Sequence, residues 1–182
     1  MEYKQCNIQD VWVIEPKVFN DARGYFFEAW NRNDFEQHIG KVDFIQDNES
    51  KSSYGVLRGL HYQEGEYSQA KLVRVIKGCV VDVAVDLRKS SPTLGKYVMV
   101  KLSSDNKRQL FVPRGFAHGF LVLSEEAVFT YKVDKAYAPQ HERCIRWDDA
   151  DINIDWPTLS SERIMSSKDL KGTSLRDAVL FE

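Results

Sequence analysis

Four histidines are spread along the chain, and two of them stand apart. His61 and His118 occur in RGLHYQ and RGFAHGF, each within an apolar run and each beside glycine. A glycine inside a strand marks a bulge or a close backbone approach, the kind of position at which a side chain is re-aimed. An imidazole ordinarily titrates near pH ~6.5, so either ring is suited to moving protons at neutral pH. Either is equally suited to being a core histidine bonded to backbone, and spacing alone does not separate the two. Two residues beyond His61 stands Gln63, where a metal centre would want a second histidine. Two imidazoles and an amide are too poor a donor set to hold a divalent ion, which points to metal-free acid–base chemistry with no cofactor. His38 and His141 lie in polar surroundings and are expected to be solvated.

Strand parity supplies partners for this chemistry. Leu57, Gly59, His61 and Gln63 fall on one face of one strand, Phe129, Tyr131 and Val133 on one face of another, and Lys71, Val73 and Val75 on one face of a third. If these faces line one interior, His61, Lys71 and Tyr131 converge on one small molecule. By the same parity Arg58 points away from His61, unless a bulge at Gly59 turns it. The plainer alternatives are a solvated strand-end charge for Lys71 and a core aromatic for Tyr131.

Turn signals recur every ten or so residues, and the runs between them are rich in Val, Ile, Phe and Tyr. Strands are expected over 11–19, 24–30, 55–63, 71–88 with a bend at Lys77-Gly78, 95–103, 108–123 and 127–133. One helix is expected over 33–39, capped by Asn33 and stopped by Gly40, and another from Ser166 or Ser167. So many strands with so few helices must shield their edges by closing on themselves, which makes the fold all-β, a jelly-roll barrel with a few short peripheral helices. No repeat or linker interrupts residues 1–182, so they are expected to form a single domain. The polar last ~15 residues must dock on the body to be ordered.

Composition narrows the function classes. In 182 residues, 25 basic side chains nearly balance 27 acidic ones, so no global charge favours nucleic acid or an anionic membrane. No stretch approaches the ~20 apolar residues of a bilayer span, and MEYKQCNIQD lacks the order of a signal peptide, so a cytoplasmic location is expected. Three widely spaced cysteines, Cys6, Cys79 and Cys144, argue against a disulfide framework or a thiolate zinc site and are read as small buried hydrophobes.

Five segments taken together carry a resemblance. DARGYFFEAW (21–30), FIQDNESKSSYGVLRGLHYQ (44–63), QAKLVRVIKGCVVDVAVDLRKSSPTLGKY (69–97), PRGFAHGFLVLSEEAVFTYKVDKAYAP (113–139), and the late IDWP (154–157) with SSKD (166–169) resemble the dTDP-4-dehydrorhamnose 3,5-epimerase family, a branch of the cupin jelly-rolls. The likeness implies a metal-independent isomerase that converts dTDP-4-dehydro-6-deoxy-D-glucose to dTDP-4-dehydro-L-rhamnose, on the way to activated rhamnose for polysaccharide. C3 and C5 both flank the C4 ketone, so a base can remove either proton if the enolate oxygen is stabilised.

By this resemblance His61 is the base and Tyr131 the acid across the sugar. Asp169 is the carboxylate partner of His61, although Asp82, inside an apolar strand, is a rival that sequence alone leaves open. Lys71 lies near the C4 oxygen and His118 in the sugar pocket. Arg23 and Arg58 hold the pyrophosphate, for which a forked guanidinium is well suited. Glu28, Gln46, Asp47, Asn48, Glu142 and Lys168 match binding positions, and Tyr137 stacks on thymine. The N-terminal strands cross to a second subunit, so the resemblance implies a homodimer in which Arg23 and Glu28 complete a neighbour's pocket. The chain departs from the family in EGEYS (64–68), which lacks the usual loop proline, and between Trp156 and Asp169, where the alignment of Asp169 is loosest. A 3-epimerase or a 3,4-ketoisomerase would use a similar base and nucleotide cradle. A metal-dependent cupin oxygenase and a non-catalytic sugar-nucleotide module are the readings from other classes.

Overall fold

The long apolar run after Lys71 does not make one bent strand but two strands in different sheets. The computed structural model describes residues 1–182, and Gly78, at φ +81°, is where the chain passes from one sheet to the other. A Cβ at Gly78 would lie 2.0 Å from the Glu126 carbonyl oxygen, so only glycine fits the crossing. In chain order the strands are β1 (Glu2–Gln5), β2 (Trp12–Glu15), β3 (Phe19–Asp21), β4 (Gly24–Phe26), β5 (Gln46–Ser53), β6 (Leu57–Gln63), β7 (Lys71–Lys77), β8 (Cys79–Asp86), β9 (Tyr97–Ser103), β10 (Gln109–Val112), β11 (Phe116–Val122), β12 (Glu126–Val133) and β13 (Glu142–Cys144). Helix α1 covers Arg32–His38 and α2 covers Ser167–Leu170.

One sheet runs β1-β2-β10-β7-β12-β5 and the other β13-β6-β11-β8-β9, all pairs antiparallel, with β3 and β4 forming a separate ribbon. The inner faces pack on each other through Val73, Val75, Leu110, Val112 and Phe129 from the first sheet and Val80, Ala84, Phe116 and Phe120 from the second. This is a cupin-type jelly roll, as expected. Val81, Val83 and Val85 of β8 face the other way and are buried against the C-terminal segment, with Ile145, Ile152 and Trp156 over them. Being covered on both sides is why β8 reads as a continuous apolar run rather than an alternating one. The C-terminal residues do dock, through bridges that pair Val56 with Ile164, Arg88 with Phe181 and Ile145 with Thr173. No helix is long and apolar enough to cross a membrane.

Several boundaries differ from expectation. The segment 108–123 is two strands in different sheets, separated by the turn at Pro113–Gly115, and 11–19 likewise divides into β2 and the start of β3. Within 24–30 only the first three residues are strand. Helix α1 starts at Arg32 because the Asn31 side chain, not that of Asn33, accepts the Asp34 amide at 3.2 Å. Strand β5 is too polar to be read as a strand; pairing along all of β12 defines it. The short edge strands β1 and β13 also carry too little apolar pattern to be legible. The three cysteines are free and half-buried rather than fully buried.

Candidate active site

The feature that builds the site is a bulge. Along β11, His118 pairs with His61 of β6 and Phe120 pairs with Arg58, so one residue of β11 stands opposite two of β6, Gly59 and Leu60. Gly59 has φ +113°, and a Cβ there would lie 2.6 Å from the His118 carbonyl oxygen. The extra residue reverses parity midway along β6. Leu57, Leu60 and Tyr62 therefore join the core on the outer side of the sheet, whereas Arg58, His61 and Gln63 line the interior. The expectation that Leu57 and Gly59 share a face with His61 is thus corrected, and the conflict over Arg58 disappears.

A cavity of about 600 Å³ opens between the two sheets. His61, Arg58 and His118 reach it from one sheet and Lys71 and Tyr131 from the other, with Tyr137, Glu142, Lys168 and Asp169 around its mouth and wall. Phe129, expected on the same face as Tyr131, and Phe120, which the sequence did not single out, stack at 4.3 Å between centroids and supply apolar floor.

His61 Nε2 lies 2.6 Å from Asp169 Oδ1. Asp169 is almost wholly buried, and α2 presents it: the Ser166 hydroxyl and Asp169 carboxylate cap each other's backbone amides at the helix start. The same carboxylate accepts the Gly59 amide (2.9 Å), the Ser166 amide (3.0 Å) and the Ser166 hydroxyl (2.5 Å). Burial alone would raise the Asp169 carboxyl, but the hydrogen bonds from His61, Ser166 and Gly59 outweigh it and hold it far below the usual aspartate range. An ionised Asp169 accepts the Nε2 hydrogen, which leaves Nδ1 of His61, buried and without a partner, to carry the lone pair of the neutral ring. Cys144 stands opposite His61 on β13, and its sulfur, an Asp169 oxygen and a His61 nitrogen lie within 4.8 Å of one another. Burial, with Asp169 and Glu142 adding to it, pushes that thiol up to about 12.

Asp82, weighed as the rival partner of His61, pairs with His118 instead. Both its oxygens lie close to His118 Nε2, at 2.9 and 3.0 Å, and the carboxylate is wholly buried. Burial raises the Asp82 carboxyl, and His118 and Lys71 pull against that rise. Lys71 is lowered to about 8, mainly by burial, while Asp82 and Glu142 oppose the fall. Tyr131 is raised by burial, with the Arg58 charge pulling it down and Glu142 and Tyr137 adding to the rise, so its phenol keeps its proton at neutral pH. At the mouth, the Tyr137 hydroxyl donates to Glu142 (3.0 Å), which also accepts from Lys168 (2.8 Å). Burial would raise the Glu142 carboxyl, but those two bonds leave it lowered.

Other expected residues lie apart. Arg23 is 91% exposed and pairs only with Asp21, and Glu28 accepts from Asn31. Gln46 donates to Asn48 at 2.7 Å, Asp47 pairs with Lys132, and Asp47 and Asn48 line a separate cavity beside Trp30 and Arg74. His38 is exposed, as expected, with one face stacked on Tyr3, while His141 is half-buried and stacks on Tyr67.

Comparisons with known proteins agree with one another. The family model described as dTDP-4-dehydrorhamnose 3,5-epimerase matches residues 5–177. A dTDP-4-dehydrorhamnose 3,5-epimerase of Shigella flexneri is 54% identical, over 100% of this chain and 99% of the relative. The crystal structure of the enzyme of that name from Elizabethkingia anophelis superposes with a TM-score of 0.93 at 50% identity, covering 97% of both chains. The structure of dTDP-6-deoxy-D-glucose-3,5-epimerase from Legionella pneumophila, in complex with dTDP-4-keto-L-rhamnose, superposes with a TM-score of 0.93 at 45% identity, covering 97% of this chain and 93% of the other.

Proposed function

This chain belongs to the dTDP-4-dehydrorhamnose 3,5-epimerase family, and on that premise we propose that it binds dTDP-4-dehydro-6-deoxy-D-glucose and inverts C5 and C3 to yield dTDP-4-dehydro-L-rhamnose. The observation that carries the reading is one cavity with a carboxylate-backed imidazole on one sheet and a protonated phenol on the other. His61 takes the proton from the carbon beside the ketone, while Asp169 holds the ring and favours the imidazolium as it forms. The electron pair moves onto the C4 oxygen, where the Lys71 ammonium stabilises the enolate more than the neutral ketone, and His118 bonds the sugar beside it. Tyr131 returns a proton to the opposite face of the same carbon, which inverts it. Both groups then reset by exchange with water.

Arg58 takes the pyrophosphate, Tyr137 stacks on thymine, and Glu142 and Lys168 complete the nucleotide end. No metal is needed in this scheme: the Asp169 lone pairs are already directed at four donors, which leaves a poor ligand set around His61 and Cys144. A homodimer is part of the proposal. The β3–β4 ribbon exposes Phe19, Tyr25 and Phe26, and β5 ends its sheet with an unpaired edge, so a second copy has both an apolar grip and a strand edge to occupy. Arg23, Glu28, Gln46, Asp47 and Asn48 would then bind nucleotide across that interface. Location in the cytoplasm, where thiols stay reduced, suits the three free cysteines.

The test is incubation of the dTDP-4-keto sugar in heavy water with NMR detection at C3 and C5. Deuterium at both positions is expected. Incorporation at C3 alone would make this a 3-epimerase, and none at either would remove the proton-transfer mechanism. His61→Ala and Tyr131→Phe are expected to abolish or redirect turnover with modest loss of binding, because both groups act mainly in the transition state.

A further inference from the structure

Gln63 closes β6 two residues after His61 and is 3% exposed. Its amide is entirely committed to backbone. Nε2 donates to the Tyr67 carbonyl (2.8 Å) and the Ala136 carbonyl (3.2 Å), and Oε1 accepts the Ala138 amide (2.7 Å). The last two groups flank Tyr137, whose ring is half exposed at the mouth of the cavity. The segment around that ring, 134–138, has no helix or strand of its own. It is instead tied down from outside, by Gln69 Nε2 on the Lys135 carbonyl (2.7 Å), by the Ala70 amide on Asp134 (2.7 Å) and by Gln63 on both sides of Tyr137.

We infer that Gln63 is a positioning residue for nucleotide recognition, clamping the two peptide neighbours of Tyr137 so that the ring stands ready for the base at a set distance from His61. The inference rests on the reading of Tyr137 as the ring that stacks on thymine. A ring on a loose segment must be ordered when the base arrives, and that ordering is subtracted from affinity; a ring on a clamped segment has been ordered by folding. The amide is matched to the task, because the clamp needs two donors and one acceptor in one planar group. Glutamate lacks the donors and would set a carboxylate against two carbonyls, while leucine would leave three backbone groups without their partners, the Ala138 amide among them buried.

The experiment compares Gln63→Leu, Gln63→Glu, Tyr137→Ala and the Gln63→Leu/Tyr137→Ala double variant by calorimetric binding of dTDP, by KM and kcat, and by thermal melting. Both Gln63 variants are expected to weaken dTDP binding about tenfold and to raise KM in step, no further than Tyr137→Ala does, with kcat within about twofold of wild type. In the Tyr137→Ala background, Gln63→Leu should add less than about twofold, since the ring it positions is gone. A Gln63 variant that melts early yet binds dTDP normally would make the residue merely structural and overturn the proposal, as would additive losses in the double variant. If Tyr137→Ala itself binds dTDP normally, the stacking reading fails and the proposal falls with it. Should the Gln63 variants not fold, amide exchange in the wild type decides the matter: the Ala138 amide is expected to exchange slowly without ligand, and exchange at the rate of an open loop overturns the clamp.

Discussion

Proton transfer asks different things of the two inward histidines, and their carboxylates differ accordingly. Asp169 is held ionised by hydrogen bonds from three residues, which suits it to orient a base and to receive the charge that base acquires. In Asp169→Asn the amide cannot accept all of those bonds, and the ring loses its orientation. Its kcat is expected to fall about 10²- to 10⁴-fold with little change in dTDP binding, measured by turnover and calorimetry. Asp82 is buried deeper, and its charge acts on both His118 and Lys71. Lys71 shows the tension between stability and chemistry. Burial depresses its folded pKa to about 8 from the ordinary 10.5, so below pH 8 the fold carries the cost of a buried ammonium, and that cost disappears as pH rises past 10.5. The gap corresponds to about 3 kcal/mol at most. Lys71→Met should therefore melt at a higher temperature than wild type at pH 7 while losing about 10²- to 10³-fold in kcat. Turnover of the wild-type enzyme should decline as pH rises through about 8, where the ammonium discharges.

Among the elements, β6 carries the most consequence per residue. Its bulge turns Arg58 and His61 to the same side, and the backbone amide of the bulge residue, Gly59, donates to the Asp169 carboxylate that His61 also uses. One glycine thus fixes side-chain parity and anchors the dyad. Gly59→Ala would set a methyl group 2.6 Å from the His118 carbonyl oxygen and 2.7 Å from Gly119 Cα, at a φ of +113° that a side chain resists. A loss of about 2–4 kcal/mol of stability is expected in urea denaturation, with activity lost even where the variant stays folded. Helix α2 is equally economical. Its four residues place Lys168 toward Glu142 and Tyr137 at the mouth of the cavity, and Asp169 toward His61 in its wall. So short a helix is held by its capping box and by the barrel rather than by its own propensity.

At the scale of the whole molecule, the residues proposed to bind the substrate do not all reach one chain's cavity. The cavity lined by His61, Lys71 and Tyr131 lies between the two sheets of a single copy, while Arg23 stands exposed on a ribbon that contributes nothing to that chain's own cavity. If a second copy completes the site, an Arg23→Ala chain and a His61→Ala chain, each weak alone, should restore one another. Random reassortment makes about half of the dimers mixed, each with one intact site of two, so the mixture should recover about a quarter of wild-type activity. Failure to recover above the sum of the separate variants would mean that Arg23 serves no neighbouring pocket.

The sequence by itself determined the all-β class, the glycines that bend it and the three side chains, His61, Lys71 and Tyr131, that meet in the cavity, because alternation and turn chemistry are local and survive in one dimension. It also carried the family resemblance that nominated Asp169. Which carboxylate serves which histidine was beyond it: Asp82 and Asp169 are both within the chemistry of a partner, and the choice was made by β8 and α2 arriving at different faces of the barrel. The strand β5 was hidden for the same reason, since a polar edge is a strand only through the neighbour it pairs with. Gln63, too, reads as a weak metal ligand until the chain from 136 to 138 comes to rest against it. Contacts between residues 36 to 110 positions apart are settled by how two sheets close over one core, and no local pattern encodes that distance.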